Sequence, residues 1–339
     1  MNRAPRRTYI IAELSANHGG SLEHACRTIQ AMHEAGADAV KLQTYTADMM
    51  TIKCDRPEFK IGGGSIWEGR DLYELYEEAH TPWEWHKDLF QCANELGMDC
   101  FSTPFDSTSV DFLEQFNPPY YKIASFELVD LPLIEYVASK GRPIIMSTGM
   151  GSLAEISEAV AVIKSAGVPL TLLKCTSAYP SPPDLMNLRT ISHLAETFQV
   201  PCGLSDHTLG IAVPVAAVAL GASVVEKHVT LSRDIPGPDS VFSLEPHEFK
   251  QMVESIRIAE KAIGEVSYQA TTKEIASKAF RRSLFVVKNI KQGEVFTKNN
   301  TRSIRPGYGI PPKHLNTILG KTARHDIDAG TPLAWEFVS

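Results

Sequence analysis

Two histidines close two short apolar runs, Cys202-Gly203-Leu204-Ser205-Asp206-His207 and Val224-Val225-Glu226-Lys227-His228. An acidic residue stands one or two places before each, and a helix-length apolar stretch separates the runs. If the runs are consecutive strands of a parallel barrel, their ends lie side by side on one rim. Two imidazoles there could hold one divalent metal and leave positions open, a Lewis-acid site able to polarise a carbonyl. The competing reading is a pair of satisfied core histidines. His18, in Ala16-Asn17-His18-Gly19-Gly20, is a further candidate. The remaining histidines, His24, His33, His80, His86, His193, His247, His314 and His325, fall on helix-like or loop segments and read as surface residues.

Lys41 and Lys122 sit inside apolar strand-like sequence, Ala39-Val40-Lys41-Leu42-Gln43 and Tyr121-Lys122-Ile123-Ala124-Ser125. A buried lysine needs a partner. One task is Schiff-base chemistry, which uses a single lysine of lowered pKa. The other is a clamp for a phosphate or carboxylate, which suits two lysines with hydroxyls nearby. Ser147, Ser177 and Ser205 supply hydroxyls, which favours the clamp. Glu13 and Glu226 have the chemistry to hold a metal-bound water, orient a histidine or act as a base.

These residues must be positioned by something regular. Short β-rich runs alternate with helix-period stretches from residue 8 to residue 264. Strands are expected at Tyr9–Glu13, Ala39–Gln43, Asp99–Thr103, Tyr121–Ser125, Ile144–Thr148, Leu170–Thr176, Cys202–Asp206 and Ser223–His228. Continuous apolar strands of this kind belong to parallel sheets buried on both faces. Helices are expected at Leu22–Ala35, from Ser107 to Phe116, and at Leu153–Ser165, Asn187–Phe198, Ile211–Leu220 and Pro246–Ile263. Ser152 with Glu155 makes a capping box for the third of these. Eight such units over about 260 residues fit a (β/α)8 TIM barrel, an α/β fold whose site lies at the C-terminal strand ends. All eight ends carry polar residues: Glu13; Lys41 and Gln43; Ser102 and Thr103; Lys122 and Ser125; Ser147 and Thr148; Thr176 and Ser177; Asp206 and His207; Glu226 and His228. A long connection from Asp48 to Trp85, containing Gly62-Gly63-Gly64-Ser65-Ile66-Trp67, reads as a loop covering substrate.

Composition narrows the function classes. The chain has 339 residues, 43% hydrophobic and 22% charged, which is enough apolar material for one barrel and one small domain. A net charge of −7 argues against nucleic acid or anionic membrane as a partner. The six cysteines, Cys26, Cys54, Cys92, Cys100, Cys175 and Cys202, form no C-x-x-C pair and read as reduced core thiols. The apolar stretch after Arg3, Arg6 and Arg7 ends at Glu13, too short for a signal peptide, so a cytoplasmic location is expected. The run from Ile211 to Val225 is broken by Pro214 and Gly221 and is too short to span a bilayer.

The pattern changes after Gly264. The domains expected are a catalytic barrel over 1–265, a linker over 266–280 and a small β-rich domain over 281–339. Short strands at Ser283–Val287 and Leu333–Phe337 lie among turns such as Lys291-Gln292-Gly293-Glu294 and Asp328-Ala329-Gly330. A domain of this size needs docking or a partner subunit for stability.

Taken together, the residues resemble the sialic acid synthase family. The motifs are Ile11-Ala12-Glu13 with Asn17-His18, Asp38-Ala39-Val40-Lys41-Leu42-Gln43-Thr44, Ser102-Thr103-Pro104-Phe105-Asp106, Tyr121-Lys122-Ile123-Ala124-Ser125, Ser147-Thr148-Gly149-Met150, Cys175-Thr176-Ser177, Gly203-Leu204-Ser205-Asp206-His207-Thr208 and Glu226-Lys227-His228. The C-terminal region resembles that family's antifreeze-like (SAF) domain. Ile66-Trp67-Glu68-Gly69-Arg70, Thr81-Pro82-Trp83-Glu84-Trp85 and Pro236-Gly237-Pro238-Asp239-Ser240 are most similar to the branch that makes pseudaminic acid. Ala178 departs from an Asn common in some sialic and legionaminic acid synthases.

The resemblance implies condensation of phosphoenolpyruvate (PEP) with an open-chain N-acetylated sugar. For the pseudaminic branch the sugar is 2,4-diacetamido-2,4,6-trideoxy-L-altrose; N-acetylneuraminic or legionaminic acid synthesis by the same reaction is the alternative. It implies that Lys41, Lys122, Ser147, Ser177 and Ser205 hold PEP, and that His207 and His228 bind a divalent metal, Mn2+ or alternatively Mg2+ or Co2+. Glu13 would orient sugar hydroxyls or the attacking water. Gln43, Thr103, Ser125, Glu127, Tyr179 and Glu226 would complete the sugar pocket. Arg305 matches an SAF-domain arginine that reaches a partner subunit's site, which implies a domain-swapped homodimer. A Schiff-base aldolase and a non-catalytic sugar- or ice-binding protein are the more distant readings.

Overall fold

The computed structural model describes residues 7–339; Arg3 and Arg6 lie outside the described residues. Eight parallel strands close into a barrel: β1 Tyr9–Glu13, β2 Ala39–Thr44, β3 Asp99–Pro104, β4 Tyr121–Ile123, β5 Ile144–Ser147, β6 Leu170–Cys175, β7 Cys202–Asp206 and β8 Val224–His228. Each strand pairs with the next, and β8 pairs back onto β1. The eight expected strands are therefore all present and make the (β/α)8 barrel, with ends moved by a residue or two.

Alternation along each strand sorts the side chains. Ile11, Ala39, Phe101, Ile145, Leu173 and Val224 cluster inside the barrel as an apolar plug. Period 2 sends the residue two places further on to the same face. Those residues are Glu13, Lys41, Thr103, Ser147, Cys175 and Glu226, so a polar layer lies directly above an apolar one. Outward residues such as Ile10, Val40, Cys100, Ile144, Leu204 and Val225 join the main core beneath the helices.

Helices at Leu22–Glu34, Leu153–Ser165 and Pro246–Ile263 lie where their caps and periodicity place them. Ser21 accepts from the His24 amide, and Ser152 and Glu155 form the expected capping box. Two further helices form at His86–Glu95 and Leu131–Ser139; the first has no side-chain cap, while Asp130 caps the second by accepting from the Leu133 amide at 3.1 Å, with Pro132 in its first turn. The long Asp48–Trp85 connection is not structureless: it contains helix Leu72–Ala79, whose N-cap Asp71 accepts from the Tyr73 amide at 2.8 Å.

The chain divides into two compact units, the second running from Glu265 to Ser339. In this unit β9 Ser283–Val286 pairs antiparallel with β10 Thr301–Ile304 over a core that includes Leu284, Val286, Phe296 and Leu333. The strand expected at Leu333–Phe337 does not form. Leu333 keeps ladder bonds to Leu284 and Ile310, the Phe337 carbonyl accepts from the Arg324 amide, and between them Trp335–Phe337 turns as a 3-10 helix. Pro332, lacking an amide donor, stands just before it. No helix among the described residues is long and apolar enough to cross a membrane.

Candidate active site

Register brings the polar strand ends together. Glu13 on β1 is the Cα partner of Lys41 on β2 and also of His228 on β8. Ser205 pairs with Glu226, and Gln43 with Thr103. One carboxylate thus adjoins the lysine side of the rim and the histidine side.

Two buried lysines face one another across Glu226. Lys41 forms an ion pair with Glu13, donates to Thr103 Oγ1 at 3.3 Å and lies 3.9 Å from Glu226 Oε1. Lys122 donates to Ser147 Oγ at 2.7 Å and lies 3.7 Å from the same Oε1. Ser205 Oγ donates to Glu226 Oε1 at 2.9 Å. The sequence assigns the lysines to the anion clamp and Glu226 to the sugar pocket; in the structure Glu226 stands where the two meet. Gln43 donates to Ser15 Oγ at 2.8 Å and reaches Glu13 Oε1 at 3.4 Å. The Gly149 amide donates to Ser125 Oγ at 3.1 Å. A Cβ on Gly149 would lie 2.3 Å from Ser177 Oγ and 2.7 Å from Ser125 Oγ, so the absent side chain leaves room beside both hydroxyls.

Burial sets the charges. Glu13 loses more hydration than Lys41 returns, so its carboxyl is pushed up to about 7. Burial would also raise Glu226, but Lys122 and Lys41 hold it below the usual carboxylate range. Burial lowers the Lys122 ammonium against the pull of Glu226. For Lys41 the attraction of Glu13 and Glu226 outweighs burial and keeps it charged. Glu127 is half-buried, with Oε2 buried and unpartnered, and burial raises its carboxyl to about 7.

The histidine rings lie 5.3 Å apart between centroids. His207 Nδ1 is 3.2 Å from the Thr176 carbonyl and 3.8 Å from Cys175 Sγ. His228 Nδ1 is buried with no hydrogen-bond partner and lies 3.8 Å from Asp239 Oδ2. Burial and the neighbouring His207 push His228 well down, which keeps it in the neutral, ligating form. Two imidazoles with an orphaned ring nitrogen fit a divalent ion that takes its other ligands from substrate or water. Among the described residues no group of three or more His, Cys, Asp or Glu could hold a metal by itself.

An aromatic wall stands beside the histidines. Tyr179 lies 4.3 Å from the His207 ring and 5.2 Å from Phe242. Trp67 packs 5.5 Å from Tyr179, and its Nε1 donates to the Pro238 carbonyl at 2.9 Å. Arg305, the one expected site residue in the second unit, is exposed there just after β10.

Several residues differ from the sequence reading. Ser102 and Asp206 face away from the barrel interior: Ser102 bonds Thr44 Oγ1 at 2.6 Å and Asp206 pairs with Lys227. His86, expected at the surface, is fully buried because Thr44 Oγ1 bonds its Nε2 at 2.8 Å and Phe112 covers the ring; burial pushes it down to about 4. His18 is spent on the backbone, accepting from the Gly20 amide and meeting the Ala79 carbonyl. Cys175 is more than a core thiol. Burial would raise it, but His207 draws it down to about 7. Asp239 and Phe242 went unrecognised as site residues; the signal available was Pro236-Gly237-Pro238-Asp239 in the loop after β8. A groove of about 440 Å³ outside the barrel, lined by Lys87, Phe90 and Phe116, holds no comparable chemistry.

The NeuB family matches residues 28–268, and the SAF domain matches residues 281–339. The chain is 47% identical to the pseudaminic acid synthase of Campylobacter jejuni subsp. jejuni serotype O:23/36 (strain 81-176), covering 97% of this chain and 96% of that one. It is 39% identical to the N,N'-diacetyllegionaminic acid synthase of Legionella pneumophila, covering 97% and 94%. Among solved structures it resembles the N-acetylneuraminic acid synthetase of Leptospira borgpetersenii, with TM-score 0.72 and 31% identity over 80% of this chain and 90% of that one.

Proposed function

The chain belongs to the NeuB family, and from that premise we propose that it is a pseudaminic acid synthase, condensing PEP with 2,4-diacetamido-2,4,6-trideoxy-L-altrose. The observation that carries the chemistry is the rim register: Glu13 pairs with Lys41 on one side and His228 on the other. An anion clamp and an imidazole pair therefore share one pocket. The choice of sugar rests on 47% identity to a pseudaminic acid synthase against 39% to a legionaminic acid synthase.

In this reading Lys41 and Lys122, with Ser147, Ser177 and Ser205, neutralise the phosphate and carboxylate of PEP. Gly149 leaves the space that an anion needs beside Ser125 and Ser177. His207 and His228 would hold the divalent ion, Mn2+ by preference or Mg2+ or Co2+, which when bound polarises the sugar's carbonyl oxygen. C3 of PEP forms the new bond to the sugar's aldehyde carbon. Water adds at C2, the C2–O bond of the phosphate ester breaks, and inorganic phosphate leaves. Glu13, raised to about 7, exchanges protons near neutral pH and so suits the proton transfers at the attacking water. Gln43, Thr103, Ser125, Glu127, Tyr179 and Glu226 bind and orient the sugar. The Trp67–Tyr179–Phe242 wall excludes water from the histidine side.

Arg305 of a second copy would complete the sugar pocket. Mixing inactive His207→Ala and Arg305→Ala chains should then restore part of the activity, and no restoration would remove the exchange of arginines. The main test is phosphate release with PEP and each of three sugars: the altrose derivative, N-acetylmannosamine and the legionaminic acid precursor. Turnover should need PEP and the altrose derivative, stop in EDTA and return with Mn2+. Full turnover in EDTA, or preference for another sugar, overturns the corresponding part of the reading.

A further inference from the structure

Lys227 lies between Glu226 and His228 in sequence but on the opposite face of β8. Its side chain is fully buried beneath the helices, next to core residues such as Val225. A charge there needs partners, and those it bonds come from the end of β7. Nζ donates to Asp206 Oδ2 at 2.5 Å and to the Thr208 carbonyl. Asp206 in turn accepts from the Thr208 amide and hydroxyl, each at 3.1 Å. The residues before and after His207 are therefore tied to the residue before His228.

The ladder leaves one link for side chains to make. Pairing of β7 with β8 ends at Asp206↔Lys227, and beyond it the His207 carbonyl accepts from the Ser181 amide at 2.9 Å, a bond to the loop after β6. His228 stays on the ladder through its pairing with Glu13, and its carbonyl accepts from the Leu244 amide. The Lys227–Asp206 bond instead joins the two histidine-bearing strand ends to each other. An apolar pair would fill the volume of Lys227 and Asp206 and serve stability about as well, since a buried ion pair is often neutral against a hydrophobic replacement. It would not donate to the Thr208 carbonyl or accept from its amide.

We propose that Lys227 and Asp206 are positioning residues that hold His207 and His228 at the separation a shared divalent ion requires. This rests on the metal reading above. Outer residues that orient metal ligands commonly change metal affinity about 10–100-fold when altered.

The test uses the whole chain and Mn2+ alone, with binding followed by the electron paramagnetic resonance signal of free Mn2+. Wild type should bind the ion and His207→Ala should lose it. Lys227→Met/Asp206→Asn leaves no buried charge unpaired. It should keep the wild-type circular dichroism spectrum, bind Mn2+ about 10–100-fold more weakly, and regain kcat in excess Mn2+. A folded double variant with wild-type Mn2+ affinity overturns the brace while leaving the metal site standing. Wild type that binds no Mn2+, or binds it independently of His207, overturns the metal reading and the brace with it. Should the double variant not fold, Lys227→Arg keeps the charge but not the geometry of a point donor. Weaker Mn2+ binding there supports the brace, and wild-type affinity overturns it.

Discussion

Glu127 gives the sharpest link between burial and a measurable pH effect. It lies in the 3-10 turn Phe126–Val129 after β4, with Oε2 buried and unpartnered. Burial raises its carboxyl from 4.5 to about 7. At 1.36 kcal/mol per tenfold change in proton affinity, that is about 3 kcal/mol. The sign follows from which state holds the proton. Between 4.5 and about 7 the folded chain keeps a proton that the unfolded chain releases. Stability is therefore fully present below about pH 4.5 and is lost as pH rises through about 7. Glu127→Gln cannot ionise and should not suffer this loss. The useful quantity is the difference between variant and wild type at pH 8 minus that at pH 5, because any packing effect of the amide cancels. It should favour the variant by about 2.5 kcal/mol, the rest of the loss having occurred below pH 5, or about 4–5 °C in melting temperature for a barrel of about 260 residues. If Glu127 also contacts the sugar, the variant should raise KM for the sugar and leave KM for PEP unchanged. Equal differences at the two pH values would refute the burial argument.

Three other substitutions separate the clamp from the scaffold. Lys122→Met removes the ammonium that binds Ser147 and faces Glu226, and should raise KM for PEP about 10–100-fold, the worth of a hydrogen bond to a charged group; an unchanged KM would take Lys122 out of the clamp. Gly149→Ala places a methyl against Ser177 and Ser125 and should raise KM for PEP with little change in melting temperature. A lower melting temperature with normal KM would mean that the space is structural. Gly203→Ala would put a Cβ 2.2 Å from the Val224 carbonyl, where backbone must move, and should lower the unfolding free energy by about 1–3 kcal/mol in urea titration.

The barrel is readable because each strand carries its own period. Ile11 and Glu13, Ala39 and Lys41, Val224 and Glu226 repeat one rule, apolar plug then polar layer. That rule locates the inward residues without any knowledge of their partners. The same alternation turns Ser102 and Asp206 outward; collecting every polar strand-end residue, without regard to its face, sweeps them into the site, and Thr44 and Lys227 claim them instead. Contacts made across long sequence separations leave no local trace. His86 reads as a surface residue because Phe112 and Thr44, which bury it, are 26 and 42 positions away. Asp239 is hidden for the same reason: its meeting with His228 depends on the path of the loop after β8. Cys175 looks like a core thiol because only β7 brings His207 against it.

Strand β8 shows why one short run can specify so much. Glu226, Lys227 and His228 are consecutive, charged or titratable, and all buried. Such a run would be ruinous if the three side chains shared an environment, since isolated buried charges are expensive. Alternation separates them. Glu226 meets Lys41, Lys122 and Ser205 inside the barrel, and Lys227 meets Asp206 and Thr208 outside it. His228 lies beside Asp239 and the His207 ring, on the same face as Glu226 but one step higher. A slip of one residue in β8 would turn Glu226 and His228 toward the helices and Lys227 into the barrel, leaving every one of these groups without its partner. The same residues that build the site therefore penalise every misregistered alternative, and selection of the fold and assembly of the pocket become one constraint.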